Sequence, residues 1–216
     1  MKIIGMFYVD LGFPEIGKAA HLTIASIKEA MPDSSIVQFT NMLTPALPHI
    51  NEVVRRPPDD LGLMEGRMEH YSTYPHKQML FIDPDIIIQK DVWDVFDDEF
   101  DVAMADRGGK PVMLNGKDIS KVMPHNLGVA FSTGTQFWRR CLVEMKKLSL
   151  DDRNWFGDQI AVGRVARSKI FKIKTLDMYK YNYSPQTKDE DVSSRFIVHY
   201  KGKRKSWMPD KSKSMA

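Results

Sequence analysis

The feature that most constrains this chain is the alternation, in its N-terminal part, of short apolar runs with stretches whose apolar residues recur at helical spacing. Lys2 to Val9 reads as a strand, followed by a turn with Gly12 and Pro14. Ile16, Ala20, Ile24, Ile27 and Met31 then fall on one helix face, and Pro32-Asp33 stops that helix. Ile36 to Thr40 is a second strand, and the segment from Leu61 to about Tyr74 reads as a helix leading into an apolar strand over Met79 to Ile88. Alternation of this kind predicts an α/β domain, a Rossmann-like, mostly parallel mixed sheet with helices on both faces.

The pattern continues downstream. Asp91 is placed to cap a short helix through Phe96, Asp101 to Ala105 and Leu127 to Phe131 read as strands, and Phe137, Cys141, Met145 and Leu148 mark the inner face of a helix. Asp158 is placed to cap a helix through about Ala166, and Ile170 to Ile173 and Phe196 to Tyr200 complete the strands. Ligands of such sheets bind beyond the carboxyl ends of the strands, where Asp10, Asp83, Asp85 and Asp106 fall.

Length and composition narrow the classes. At 216 residues, 43% hydrophobic and 27% charged, the chain suits one globular domain with a substantial core. A net charge of +3 does not announce a nucleic-acid binder. The single cysteine, Cys141, rules out an internal disulfide and a cysteine-based zinc cluster, and its helix-face position makes it core. The apolar start "IIGMFYV" is too short for a membrane span and is followed by Asp10, so no transmembrane segment or signal peptide is read there and a cytoplasmic protein is expected. Stretches expected to be flexible are 57–61, 107–120, 187–194 and the basic tail after Trp207.

Within "MLFIDPDIII", Asp83 and Asp85 interrupt an otherwise apolar run. An unpaired carboxylate there would lose several kcal/mol of hydration, on the order of the cost of burying any charge. Residues i and i+2 of an extended segment project to one side, so the two acids can converge while Pro84 faces away. Converging carboxylates repel unless they share a proton or a cation, and a hard divalent ion suits them. The plain alternative is a strand that ends in an Asp-Pro turn.

Far downstream, "FIVHYKGKRKSWM" sets His199 after three apolar strand residues, with Gly202 and then Lys203, Arg204 and Lys205. Gly202 permits close approach of the backbone, and the basic run concentrates positive charge. Together with the acid pair these residues suggest a third metal ligand beside a loop that receives a diphosphate.

At this point the chain resembles a known family. "FIDPDIII" is similar to the Asp-x-Asp metal motif of glycosyltransferase family 8, the GT-A-fold family that contains glycogenin and bacterial galactosyltransferases. "HYKGKRKSW" matches its His-x-x-Gly-x-x-Lys-x-Trp motif at His199, Gly202, Lys205 and Trp207, while "HNLGVAFS" and "FGDQIAV" resemble its Asn-x-Gly-Val and Asp-Gln segments. The four matches run in the family's order over about residues 67 to 207.

The resemblance implies roles. Asp83, Asp85 and His199 would hold Mn²⁺ or Mg²⁺, imidazole favouring Mn²⁺, and the ion would bridge the phosphates of a nucleotide-sugar, by default UDP-linked. Lys205 would add a cation at those phosphates, with Gly202 clearing the approach. Arg67 would contact the donor, the alternative being an exposed helix arginine. Asp106 would hydrogen-bond the transferred sugar, and Asn126, Asp158 and Gln159 would line its other side, Asp158 serving alternatively as a helix cap. Asp10 would sit near base and ribose, although "FYVDLGFPEIG" lacks the family's Thr-Asn-x-x-Tyr pattern. The family retains anomeric configuration, either through a covalent adduct on Asp158 or Gln159 or by attack from the leaving-group face, which is the reading favoured here.

The domain is expected over 1–208, with a tail over 209–216, and the end of the chain nine residues after Trp207 is read as a compact catalytic unit. The acceptor, a glycan, protein or nucleic acid, is expected against residues 107–125, 149–156 and the basic end, whose positive rim suits an anionic acceptor or an anionic membrane surface. Oligomeric state is left open. Other readings are a nucleic-acid-modifying transferase, a non-catalytic sugar-binding module, and a haloacid-dehalogenase-type phosphatase with Asp83 as nucleophile. The last expects its motif near the N-terminus and a second Asp pair that "GDQIAV" lacks. The acidic cluster from Asp94 to Asp101 reads as a solvated face, Trp93, Phe96, Phe137 and Trp138 as packing, and His70, His76 and His125 lack metal-like spacing, although His125 stands beside Asn126.

Overall fold

The computed structural model describes residues 1–56, 62–109, 111–114, 116–153 and 156–209. The expected flexible stretch 57–61 and the tail from 210 lie outside the described residues. In chain order the elements are β1 (Ile3–Phe7), α1 (Pro14–Ala30), β2 (Ser35–Asn41), β3 (Glu52–Arg56), α2 (Leu63–Thr73), β4 (Met79–Ile82), β5 (Ile86–Ile88), a 3₁₀ turn (Trp93–Asp97), β6 (Val102–Asp106), β7 (Met113–Leu114) and β8 (Lys117–Asp118). A second 3₁₀ turn (Ser120–Val122), β9 (His125–Ser132), α3 (Gln136–Lys146), α4 (Leu150–Arg153), α5 (Gly157–Arg167), β10 (Ile173–Leu176), α6 (Met178–Tyr181), β11 (Ile197–His199) and a 3₁₀ turn (Gly202–Trp207) follow.

Seven strands form the central sheet in the order β10-β6-β9-β4-β1-β2-β3. All run parallel except β9, which pairs antiparallel with both β4 and β6. Alternation along β4 shows why these strands read as continuous apolar runs. Met79 and Phe81 pack on one side with Tyr71, Phe137, Trp138 and Cys141, while Leu80 and Ile82 pack on the other with Ile4, Ala20, Ile24 and Ile27. Both faces are covered, so no polar face is left. Burying a side chain of this size contributes about 1.5–3 kcal/mol, and Cys141 is part of that core. Among the described residues no helix is long and apolar enough to cross a membrane.

Several boundaries differ from expectation. The apolar run 79–88 is two strands, not one: Pro84 has no N–H for the ladder, so β4 ends at Ile82 and the chain crosses to a separate two-stranded sheet, where β5 pairs antiparallel with β11. The strand expected over 170–173 begins only at Ile173, because Ile170 stands exposed and the Lys172 N–H bonds the Asp101 carboxylate at 2.7 Å. Strand β3 is half exposed and has no continuous apolar run to mark it in the sequence. Of the two expected caps, Asp91 accepts at 2.9 Å from the N–H of Trp93, the first residue of the 3₁₀ turn, although Val92 holds the cap position, whereas the cap position of α5 is Phe156, with Asp158 inside the first turn.

Candidate active site

Because β1, β4 and β6 are parallel, their carboxyl ends share one edge of the sheet, and the acids at 83, 85 and 106 all sit there. The last ladder bond of β4 runs from the Asp83 N–H to the Gly128 carbonyl at 2.9 Å. The Asp-Pro-Asp turn is then held from α1: Thr23 Oγ1 donates to the Pro84 carbonyl at 2.9 Å and accepts from the Ile86 N–H at 3.1 Å. Ser26 Oγ accepts from the Ile88 N–H at 3.0 Å. These buried hydroxyls satisfy the edge of β5 that no strand covers.

The pairing of Ile86 with His199 brings the distant histidine to the turn, and the Tyr200 N–H bonds the Asp85 carbonyl at 2.9 Å. His199 Nε2 lies 2.9 Å from Asp85 Oδ1 and 3.6 Å from Asp83 Oδ2. One ligand atom from each of the three residues falls within 4.8 Å of the others. On the far side of the ring, Asn182 Oδ1 faces His199 Nδ1 at 2.9 Å, and Asn182 Nδ2 donates to Asn126 Oδ1 at 2.9 Å. That contact keeps a proton on Nδ1 and turns Nε2 toward the acids, the arrangement a metal-binding imidazole needs.

Gly128 completes the seat. A Cβ there would lie 2.1 Å from His199 Cε1, so only glycine lets the imidazole rest on β9. The β6–β9 register shifts between Met104 and Ala105, which pair with Ala130 and Asn126, and this irregularity aims Asn126 at the site. At Gly202 a Cβ would meet no protein atom within 4 Å, and its φ of 60° favours glycine as the chain enters the last 3₁₀ turn.

Cations neutralise the acids. Arg67, only 6% exposed, is no surface residue: it lies 2.7 Å from Asp83 and also pairs with Asp158, which is fully buried. Lys205 Nζ lies 2.7 Å from Asp85 Oδ2. Burial would raise the Asp85 carboxyl, but the charges and hydrogen bonds of His199 and Lys205 outweigh it and hold the group well below the usual carboxylate range. Nearby, burial and the Arg107 charge pull the Lys201 ammonium down to about 8, with Asp83 and Asp85 acting the other way.

Two cavities flank this cluster. One is a cleft lined by Asp83, Asp85, Arg67, Gln159 and Lys205 at its polar end and by Tyr8, Val9, Leu11, Ile16, Leu63 and Met64 at its apolar end. The other holds Asp106, Arg107, Asn126, Asn182, Lys201 and Arg204. Gln159 joins them, for its side-chain carbonyl accepts from Arg107. Asp10 stands apart: it is exposed, accepts from the Gly12 N–H at 2.9 Å and lines a neighbouring hollow with Tyr8, Lys18 and His21 rather than the cleft. Thr23 and Asn182 belong to no motif or period that marks them in the sequence, while Arg107 and Lys201 fall in stretches expected to meet the acceptor without standing out within them.

No family model and no curated protein matches the chain. Solved structures do. The chain is similar to the glycosyltransferase GlyE of Streptococcus pneumoniae TIGR4, with 12% identity and a TM-score of 0.66, over 98% of this chain and 61% of GlyE. It thus spans less than two thirds of GlyE's length. It is similar to the galactosyltransferase LgtC, solved with donor and acceptor sugar analogs, with 15% identity and a TM-score of 0.60 over 97% of this chain and 91% of LgtC. A glycosyltransferase involved in glycosylation of the major capsid of PBCV-1 shares 13% identity and a TM-score of 0.62, over 96% and 98% of the two chains. These likenesses show a glycosyltransferase fold of the GT-A type.

Proposed function

We propose that the chain is a metal-dependent glycosyltransferase of the family-8 kind, moving a hexose or related sugar from a nucleotide-sugar, UDP-linked by default, to an acceptor hydroxyl with retention of configuration. One observation carries the reading: two carboxylate oxygens and one imidazole nitrogen, from segments more than a hundred residues apart, converge within 4.8 Å at the carboxyl edge of the sheet. The residues fit a divalent ion, since two hard oxygens and one nitrogen at these separations match the donor set of Mn²⁺ or Mg²⁺. Held by Asp83, Asp85 and His199, such an ion would supply charge stabilisation at the donor's diphosphate.

The chain's own side chains divide the remaining work. The apolar end of the cleft, with Tyr8, Ile16, Leu63 and Met64, suits a flat base and shields it from water. Lys205 stands at the polar end with three ammonium hydrogens, one directed to Asp85, leaving two for phosphate oxygens. Arg67 orients Asp83 and Asp158 from one guanidinium. As the bond between anomeric carbon and phosphate oxygen breaks, its electron pair stays on that oxygen, and the acceptor oxygen bonds the same carbon while its proton passes to the departing phosphate. Asp158 supports this same-face course over a covalent adduct: it is fully buried, one oxygen accepts the Gln159 N–H at 2.7 Å and the other pairs with Arg67.

The test is donor hydrolysis without acceptor, across a panel of UDP- and GDP-sugars with and without Mn²⁺. Turnover with at least one donor should require the metal, and Asp85→Asn should lower it about 100-fold or more while the protein stays folded, as expected when a charge-stabilising group is lost. Normal turnover by Asp85→Asn would overturn the metal assignment. A glycosyl adduct trapped on Asp158 would overturn the same-face course.

A further inference from the structure

The second cavity holds charge that the donor reading leaves unused. Among its described lining residues are three cations, Arg107, Lys201 and Arg204, and a single carboxylate, Asp106. That carboxylate is engaged locally, accepting from the Gly108 N–H at 2.9 Å. Among the described residues none of the three cations makes a salt bridge. Arg107 donates instead to neutral oxygens, the Met123 carbonyl at 2.9 Å and the Gln159 side chain. The buried Nε of Arg204 has no acceptor among the described residues. All three are half-buried, where an unmatched cation is costly and a matching anion is bound strongly.

We infer, on the strength of the transferase reading above, that this cavity receives the acceptor and that the acceptor is a sugar carrying a compact oxyanion, a phosphate or a carboxylate. Arg204 and Lys201 face that anion, and two guanidinium groups and an ammonium match its fork of oxygens. Ser184 and Gln186 on the same lining offer a hydroxyl and an amide for the acceptor sugar, which leaves Asp106 and Asn126 to the transferred sugar. A neutral sugar would leave the positive surplus unpaired. The three cations are gathered around one hollow rather than along a stripe, which favours a small anionic group over a polyanion such as nucleic acid.

Calorimetric titration of the full chain in Mn²⁺ and UDP, with the donor cleft thereby occupied, tests this with glucose, glucose 6-phosphate, glucuronate and inorganic phosphate as probes. At least one of the two anionic sugars should bind about tenfold or more tighter than glucose, as one or two hydrogen bonds to charged groups provide, and the tighter of the two identifies the anion. Arg204→Gln should bring that preference below about threefold, in keeping with loss of the charged pairing. Lys201→Gln serves as a second probe of the same preference should Arg204→Gln fail to fold. Equal binding of glucose and both anionic sugars overturns the inference, as does a preference that persists in both variants. Inorganic phosphate binding as tightly as the sugar phosphate overturns the sugar's part in it. Donor hydrolysis by the unaltered chain is read separately: its absence removes the transferase reading, whereas intact hydrolysis without anion preference removes only the present inference.

Discussion

Arg67 and His70, one turn apart on α2, show two answers to burying a basic side chain. Arg67 keeps its charge because Asp83 and Asp158 flank it. His70 has aromatic neighbours instead, with Phe7 and Phe39 ring centroids at 5.8 and 5.3 Å. Burial, helped by the Arg56 charge and opposed by a hydrogen bond with the Thr40 backbone, lowers its pKa to about 4. The folded value lies below the unfolded one near 6.5, so between these values the unfolded chain takes up a proton that the fold refuses. Stability from this group is therefore complete above about pH 6.5 and is lost as the pH falls toward 4, by about 2–3 kcal/mol. Denaturant unfolding at several pH values should show His70→Gln losing that much less than the parent across this range; identical slopes would contradict it. At this scale the sequence was legible where chemistry clashed with surroundings. Asp83 and Asp85 stood out as acids in an apolar run, and His199 as an imidazole beside basic residues. Asn182 had no such contrast, and Arg67 read equally well as a surface residue, since only the packed position of α2 turns it toward the acids.

At the level of elements, the strands with both faces buried were the easiest to read, because nothing but a continuous apolar run fits between two helical layers. Half-exposed β3 lacked that signature, and the split at Pro84 was hidden because Met79–Ile82 and Ile86–Ile88 are equally apolar although they belong to different sheets. The split has a consequence: β5 must find its own partner, and pairing with β11 is what delivers His199. Seating the ring then depends on β9. In Gly128→Ala the new methyl would fall 2.1 Å from His199 Cε1, and the small ring must give way before the sheet does, since Asp83 and Asn126 still bond the Gly128 backbone at 2.9 and 3.1 Å. Mn²⁺ affinity should fall about 10- to 100-fold, as expected for displacing the support of a metal ligand, with a fall in melting temperature that matches about 1–3 kcal/mol of overpacking. Unaltered Mn²⁺ binding in a folded Gly128→Ala protein would show that His199 is not the third ligand.

Over the whole molecule, the acid pair and the histidine are joined only through the fold, so the unfolded chain has no equivalent of the site. Ligands that bind there should stabilise the native state by mass action, by about 2.7 kcal/mol at a hundredfold excess over the dissociation constant. The arrangement makes a sharper demand than stabilisation alone. A diphosphate placed between Lys205 and the acids brings negative charge against Asp83 and Asp85, which is unfavourable until a cation lies between them. Mn²⁺ and UDP should therefore raise the melting temperature by more together than the sum of their separate effects. His199→Ala should bring the combined shift close to that sum, because the cation then loses its anchor on β11 while the cleft that holds the nucleotide is unchanged. Two additive shifts in the unaltered protein, or undiminished coupling in His199→Ala, would mean that metal and nucleotide occupy unrelated sites and that the meeting of residues 83, 85 and 199 serves only to hold β5 against β11.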